Sequence, residues 1–149
     1  MIVRETKDLE EIKRILCNPE IYDCISDDHS PSLEEFEPPL FNVTYIGGYV
    51  ENEIIGVMIY HNKRGQTYCH IQVLPKFRKE YAEEFAAKAL NEQLKTNDVV
   101  WAEIPDCYQN VLRFAKSFGF QIVDVGIDDY LKNGELSNMN ILRYQKLHD

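Results

Sequence analysis

The sequence predicts an α+β fold of three layers, in which a mixed central sheet of about six or seven strands carries helices on both faces. Three β-rich segments within residues 41–74 are separated by short polar turns, which predicts an antiparallel meander. An apolar strand at residues 98–105 follows only after a helical segment, so it should run parallel to the last meander strand. Residues 1–149 are expected to form one domain, because this length is a usual domain size.

The N-terminal region predicts a short strand, two helices and a loop. Residues 2–5 alternate in polarity, and either Thr6 or Asp8 can cap the helix that follows. The apolar residues of that helix fall on one face: Leu9, Ile12, Ile15 and Leu16. Residues 18–28 predict a second helical piece, and residues 29–40 hold three prolines and three glutamates, which indicates a surface loop.

The middle of the chain predicts three strands and a helix. Residues 41–50, 54–61 and 66–74 are rich in the β-branched and aromatic residues that favour strands. The third strand ends at Pro75. After it, apolar residues recur at helical spacing until about residue 95.

The C-terminal region predicts one more helix and a closing hairpin. The helix covers about residues 108–118 and is ended by Gly119. The hairpin strands are expected at residues 121–127 and 138–147, with residues 132–135 in or near the turn. The terminal strand is interpreted as an edge strand open to pairing, although no specific signal supports an oligomer.

The composition excludes several classes of protein. The chain has 25 acidic and 16 basic residues, a net charge of −9, so a nucleic-acid partner is not expected. Its longest apolar run, residues 54–60, is far shorter than the roughly 20 residues of a membrane helix. The four cysteines form no Cys-x-x-Cys pair, so we expect no metal and a cytoplasmic location. The adjacent Asp27, Asp28 and His29 are interpreted as structural, because neighbouring loop side chains do not converge on an ion.

Charge is unevenly distributed along the chain. Residues 1–60 carry 4 basic and 13 acidic groups, whereas basic residues cluster around the end of the meander. Two interpretations of that basic cluster stay open, a small anion-binding patch and a set of solvated turn residues. Its members are Lys63, Arg64, Lys76, Arg78 and Lys79.

Four segments in this order resemble the GNAT family, the acyl-CoA N-acyltransferase superfamily, and together they span nearly the whole chain. The segments are residues 3–9, 73–78, 102–105 and 114–120, the last reading Phe-Ala-Lys-Ser-Phe-Gly-Phe. The resemblance implies a GNAT fold and a site for acetyl-CoA. It implies that backbone N–H groups at the end of the central strand hold the acetyl carbonyl and that the start of the next helix holds the pyrophosphate. The residues so implied are Val73, Leu74, Arg78, Lys79, Tyr81, Ala82, Glu83 and Asn110.

The chain departs from the family pattern at several positions. Tyr81 and Glu83 stand where the family has glycines that let the backbone approach the phosphates. Ala115 stands where a tyrosine often protonates the leaving thiolate. Tyr108 stands where an asparagine often contacts the cofactor, and Asn110 is two residues out of register. These departures predict a degenerate cofactor site.

A narrower resemblance is to phage-encoded GNAT-like proteins of the kind associated with head assembly or carried inside virions. It depends on Leu-Pro-x-x-Arg at residues 74–78 and on Val-x-x-Phe-Ala-x-x-x-Gly-Phe at residues 111–120. Proteins of that group also have cofactor loops that are poor in glycine.

Two residues are candidates for acid–base chemistry. Strand alternation places His70 on the face of the third meander strand that also carries Tyr68 and Gln72, where it either lines a cleft or is a satisfied structural histidine. Glu103 on the next strand is either a general base or a carboxylate paired with a nearby cation. Tyr108 and Tyr130 could replace the missing acid if the fold brings them into the cleft.

Two hypotheses of function follow. The first is a phage-type GNAT-like protein that transfers little or no acetyl group and acts through contacts with a virion or host protein, in the cytoplasm or in the particle. The second is an active N-acetyltransferase that moves acetyl directly from acetyl-CoA to an amine. In the second, Glu103 acts through water, Arg78 and Lys79 hold the pyrophosphate, and the acidic N-terminal region attracts a cationic substrate.

Overall fold

The computed structural model describes residues 1–146, which form a seven-stranded sheet between two layers of helices. The strand order is β1-β2-β3-β4-β5-β7-β6, and β4 and β5 are the parallel pair among antiparallel neighbours. The elements are β1 (Ile2–Thr6), α1 (Leu9–Leu16), α2 (Pro19–Ile25), β2 (Val43–Val50), β3 (Glu53–Lys63), β4 (Gln66–Val73), α3 (Pro75–Gln93), β5 (Val99–Pro105), α4 (Gln109–Ser117), β6 (Gln121–Lys132) and β7 (Glu135–Gln145).

Side-chain caps fix where the first two helices begin. The Asp8 carboxylate accepts the N–H groups of Glu10 and Glu11 at 3.0 and 3.4 Å, which selects Asp8 over Thr6 as the cap of α1. Asn18 caps α2 in the same way, ahead of a proline at the first helical position. Helix α2 ends at Ile25, earlier than predicted, because Ser26 has extended backbone angles.

The sheet buries a different apolar cluster on each face. Helices α1 and α2 cover β2 and β3 through Ile12, Ile15, Leu16, Ile21, Tyr45, Tyr49, Ile54 and Val57. Helices α3 and α4 cover the other face through Phe85, Ala89, Leu90 and Leu112, which pack on Met58, Val100, Ile104 and Leu142 among others. In the described part of the chain, no helix is long and apolar enough to cross a membrane.

Two glycines of the sheet make room for the main anchor of α3, the fully buried ring of Phe85. A Cβ on Gly48 would lie 2.8 Å from that ring. A Cβ on Gly56 would lie 2.8 Å from the backbone oxygen of Gln72 and 3.1 Å from the same ring. The two 2.8 Å distances are shorter than real Cβ contacts, so the close packing of α3 on β2 and β3 depends on glycine at these positions.

The closing hairpin is longer than predicted and is placed differently in the sheet. Asn133 and Gly134 have φ values of 52° and 75° and form a two-residue turn between β6 and β7. The interpretation of the terminal strand as an edge is wrong, because β7 lies between β5 and β6, and the edges are β1 and β6. The predicted end of that strand, residue 147, lies outside the described residues.

Candidate active site

The parallel strands β4 and β5 pair and then diverge. Within residues 1–146 their register contains one position, Tyr68 opposite Trp101, although both strands continue beyond it. The divergence opens a gap in the middle of the sheet, at the C-terminal ends of both strands. The gap leaves the backbone of the last residues of β4 without a neighbouring strand on that side.

The polar backbone groups of β4 that face this gap follow from strand alternation. The N–H of Leu74 donates to the carbonyl of Ile55 on β3, at 2.8 Å. Successive residues of a strand direct their N–H and C=O groups to opposite sides, so those of Ile71 and Val73 point toward β5. Val73 and Leu74, which the resemblance implied as cofactor contacts, therefore both lie at the gap. Only Val73 directs its amide N–H into the gap.

Helix α3 begins where β4 ends, so its N-terminus lies at the end of the gap. Pro75 occupies the first position, Leu74 makes no side-chain cap, and no acidic residue lies in the first turn. The amides at the start of a helix lack intrahelical partners, and the helix dipole favours an anion there. This arrangement fits a phosphate group.

Arg78 adds positive charge at the same place. Its Nε donates to the carbonyl of Val73 at 2.9 Å, which holds the guanidinium beside the end of β4. Lys76 and Lys79 are exposed on the neighbouring positions of α3. Three basic residues thus lie within the first five positions of α3, and anion binding by this part of the basic cluster stays a prediction.

The other predicted cofactor contacts lie farther along the helices. Tyr81, Ala82 and Glu83 are in the second and third turns of α3, where backbone N–H groups bond to carbonyls four residues earlier. The expected glycine-type loop is therefore helical. Asn110 is exposed in the first turn of α4 and accepts a hydrogen bond from Arg113.

At the start of α3 the N–H of Leu74 donates to Ile55, and Pro75 has no N–H. The N–H of Phe77 donates to the carbonyl of Leu74 at 2.9 Å, so the amide left for a ligand is that of Lys76.

His70 lies at the gap, on the same face of β4 as Tyr68 and just beyond the last paired position. Its Nε2 is 2.9 Å from Nε2 of His61 on β3. Burial lowers the pKa of His70 to about 4, with a smaller contribution from the neighbouring His61. His70 is therefore a neutral imidazole at neutral pH.

Glu103 lies across the gap on β5 and is held by an ion pair. Its Oε1 accepts a hydrogen bond from Nζ of Lys63 at 2.7 Å. Glu103 is thus paired with a nearby cation, which is one of the two interpretations given for it from the sequence. Its side chain is still 24% exposed. Both candidates predicted for acid–base chemistry, His70 and Glu103, face the gap from opposite strands.

Sequence reasoning missed His61. In the β3–β4 register His61 pairs with Tyr68 and Ile59 pairs with His70, so the two histidines are diagonal neighbours on one face. The signal was present in the short turn between β3 and β4, because the turn length sets the register of an antiparallel pair.

Tyr108 and Tyr130 meet at the C-terminal end of β5. Their hydroxyls are 3.3 Å apart, and the Tyr130 hydroxyl also donates to the carbonyl of Ser26 at 3.3 Å. Burial, followed by the contact with Tyr108, raises the pKa of Tyr130. The fold therefore joins the two tyrosines proposed as substitutes for the missing acid.

Asp28 and Lys132 attach the β6–β7 turn to the end of α2, and we call these contacts the hairpin tie. The Asp28 carboxylate accepts the N–H groups of Asn133 and Gly134, both at 2.8 Å. Lys132 Nζ donates to the carbonyls of Asp23 and Ser26, the latter at 2.6 Å. Asp28 has a structural role in these contacts, and the described residues contain no group of three or more ligands suited to a metal.

We expect Asp28→Asn to weaken the hairpin tie and to remove part of the acid sensitivity of the fold. The hydrogen bonds from Gly134 and Asn133 lower the pKa of Asp28 below its ordinary value of 3.8. The carboxylate therefore stabilises the fold above that pH and ceases to do so as the pH falls through its lowered pKa. Urea unfolding at pH 7 and pH 3 should show a smaller acid loss in Asp28→Asn than in the wild type.

The control for this comparison is Glu135→Gln, which neutralises an exposed carboxylate in the same hairpin. It should lose as much stability on acidification as the wild type. Equal acid losses in Asp28→Asn and Glu135→Gln would contradict the role of the hairpin tie.

Solved acetyltransferases have the same fold over their full length. The chain aligns with the spermidine N-acetyltransferase from Vibrio cholerae, solved with CoA and spermine, at a TM-score of 0.78 and 13% identity, covering 97% of this chain and 95% of that one. It aligns with yncA from Salmonella typhimurium, solved with its cofactor acetyl-CoA, at a TM-score of 0.77 and 14% identity. That alignment covers 100% of this chain and 95% of the other. The alignment with the ribosomal-protein-alanine N-acetyltransferase from Brucella melitensis has a TM-score of 0.74 and 12% identity, and it covers 97% of this chain and 99% of the other.

These alignments confirm the predicted GNAT fold, and at such low identity they establish the fold alone. Neither a protein-family model nor a curated protein sequence matches the chain. The structures just named are acetyltransferases, and none is described as a phage or virion protein. The comparisons therefore give no support to the phage-type hypothesis.

Proposed function

We propose that this chain is an acetyl-CoA-dependent N-acetyltransferase that acts on an amine by direct transfer. One observation carries the proposal: β4 and β5 diverge after a single paired position, and α3 begins at the end of the resulting gap. The gap offers the Val73 amide to an acyl carbonyl, and the helix N-terminus offers the Lys76 amide and its dipole to a phosphate. Both features are needed to hold an acyl-CoA.

The departures from the glycine pattern do not remove these donors. Tyr81 and Glu83 lie in turns of α3 whose amides are already bonded within the helix. The amide that can meet a phosphate is that of Lys76 in the first turn, where Lys76 and Arg78 also supply positive charge. This placement argues against a degenerate site.

Acetyl-CoA would supply an acetyl group activated as a thioester. His70, neutral at neutral pH, would accept the proton that the acceptor amine loses. Glu103, paired with Lys63, would stabilise the resulting positive charge from across the gap. Residues 1–60, with 13 acidic and 4 basic groups, favour a cationic amine as the acceptor.

The proposed phosphate site predicts that Arg78→Ala weakens the binding of acetyl-CoA. Because Arg78 is held beside the helix N-terminus, we expect its loss to raise the Kd about tenfold, or ~1.4 kcal/mol. Isothermal titration with acetyl-CoA and with coenzyme A measures the effect. Added salt should weaken binding to the wild type more than to Arg78→Ala.

The matched control is Arg64→Ala, which removes the same charge from the β3–β4 turn at the opposite end of β4. It should bind acetyl-CoA like the wild type. Equal Kd values for Arg78→Ala and Arg64→Ala would contradict the phosphate site. No heat at millimolar acetyl-CoA, from a folded wild-type chain, would overturn the proposed function and return attention to a protein partner.

A further inference from the structure

We propose that His61 is a positioning residue for His70: it accepts the Nε2–H of His70 and so leaves the Nδ1 lone pair of His70 as the base for the acceptor amine. This role rests on the proposed function. It adds a second histidine, His61 of β3, to the candidate site and assigns the tautomer of His70.

The geometry of the two rings requires complementary tautomers. Their Nε2 atoms are 2.9 Å apart, and the ring planes lie within 7° of one another. At that distance one nitrogen carries the hydrogen and the other presents its lone pair. Two N–H groups facing each other would repel, so the pair takes up one additional proton as a unit while this hydrogen bond remains.

The surroundings of the two rings select the direction of the hydrogen bond. His61 is the less desolvated ring, and it stacks on Tyr68 with ring centroids 5.7 Å apart. Burial lowers the pKa of both rings, but further for His70 than for His61. The more basic nitrogen is the better acceptor, so His61 accepts and His70 donates.

The charged groups that face the two histidines come from β3 and β5. Glu103 raises the pKa of both rings and Lys63 lowers it, and these two side chains are themselves paired at 2.7 Å. Their effects therefore oppose each other, and burial together with the His61–His70 contact dominates the titration of His70.

The second nitrogen of His70, Nδ1, is not fully buried. In residues 1–146 every side-chain nitrogen or oxygen that is fully buried has a hydrogen-bond partner. The hydrogen bond of His70 is made through Nε2, to His61. Nδ1 is therefore partly accessible, and in the tautomer fixed by His61 it carries the free lone pair.

In the transfer step the amine nitrogen forms a bond to the acetyl carbon, and the bond between that carbon and the CoA sulfur breaks. The proton lost by the nitrogen goes to Nδ1 of His70, and the positive charge is shared with His61 through the Nε2–H. The CoA sulfur leaves with the electron pair and takes that proton back from His70 through solvent. Amine and acetyl-CoA thus become the N-acetylamine and CoA-SH, with both histidines restored.

Two measurements test the positioning role. The first is imidazole ¹⁵N NMR of the full chain at pH 7, with assignments from His61→Gln and His70→Gln. We expect His70 protonated on Nε2 and His61 protonated on Nδ1. A His70 protonated on Nδ1 would overturn the proposal. This measurement needs neither cofactor nor substrate, so it decides the tautomer even if the chain transfers no acetyl group.

The second measurement is the pH profile of kcat. His61→Ala should lower kcat by roughly 10–100-fold, the usual cost of losing a group that orients a functional histidine, with KM for acetyl-CoA unchanged. It should also move the acid limb to lower pH, because the hydrogen bond from Nε2–H to His61 stabilises protonated His70 and is lost in this variant. His61→Gln should recover part of the rate, because its amide oxygen can accept the Nε2–H.

His29→Gln is the control, since His29 is exposed in the loop after α2 and should change neither readout. Unchanged kcat in His61→Ala, with transfer by the wild type intact, would overturn the positioning role alone. No transfer by the wild type to any amine would overturn the proposed function, and the catalytic part of this proposal with it.

Discussion

Replacing His70 with glutamine should lower kcat for acetyl transfer by about 10²–10⁴-fold, the usual contribution of a general base. Glutamine fills a similar volume but cannot accept a proton at neutral pH. Since His70 lies beside the gap and away from the start of α3, the Kd of acetyl-CoA should change little. Steady-state kinetics with a saturating amine, together with titration calorimetry, separate the two effects.

His29→Gln makes the same chemical change on an exposed loop and should leave kcat unaltered. A loss of less than tenfold in His70→Gln would contradict the assignment of His70 as the base. Glu103→Gln would then be the next variant, because Glu103 faces the same gap and was also predicted as a base.

The same variant has a second readout that does not depend on activity. Burial lowers the pKa of His70 from 6.5 to about 4. In the unfolded chain this residue binds a proton as the pH falls below 6.5, whereas in the folded chain it binds one only near pH 4. The free energy of unfolding should therefore fall by about 3 kcal/mol between pH 6.5 and pH 4 through this residue. In His70→Gln that part of the decrease should be absent from urea unfolding curves.

Replacing Phe85 with alanine should lower the free energy of unfolding by about 3–5 kcal/mol, as expected for a fully buried aromatic side chain. Phe85 is 0% exposed and fills the space left by Gly48 and Gly56 between α3 and the sheet. The backbone on both sides is tightly packed, so the cavity cannot collapse easily. Urea denaturation at pH 7 measures the loss.

Phe41→Ala is the matched control, because the Phe41 side chain is 84% exposed and its removal should change stability by less than about 0.5 kcal/mol. A loss below about 1 kcal/mol in Phe85→Ala would contradict the packing of α3 described above, because burial of this ring is what fixes that helix on the sheet.

The fold was predictable where its signals are local. The meander turns at residues 51–52 and 64–65 have positive φ, as two-residue hairpin turns require, and short polar turns had indicated them. The crossover from β4 through α3 to β5 is parallel, as the intervening helix predicted. The position of β7 was not predictable in this way, since hydrophobic alternation does not tell which strand a hairpin arm pairs with.

The site was predicted in part. Strand alternation placed His70 on one face of β4 and put Glu103 on the neighbouring strand, and in the structure both residues lie beside the gap. The roles of these residues and of Val73 stay predictions.

Tyr81 and Glu83 were interpreted as a defect because the resemblance implies glycines of a loop at these positions. In the structure both residues are inside α3, which begins at Pro75. His61 needed a cross-strand register, which a single strand pattern does not contain.

The interior position of β7 has a consequence for how the chain is made. Ribosomes release β5 before β7, so until residues 135–145 emerge, β5 has no partner on the side that β7 will occupy. The hairpin tie also joins residues more than a hundred positions apart, since Asn133 donates to Asp28 across 105 residues of chain. Contacts of such separation form late in folding. The nascent protein therefore carries an open strand edge until β7 is synthesised, and a chain shortened before β7 would be prone to aggregate.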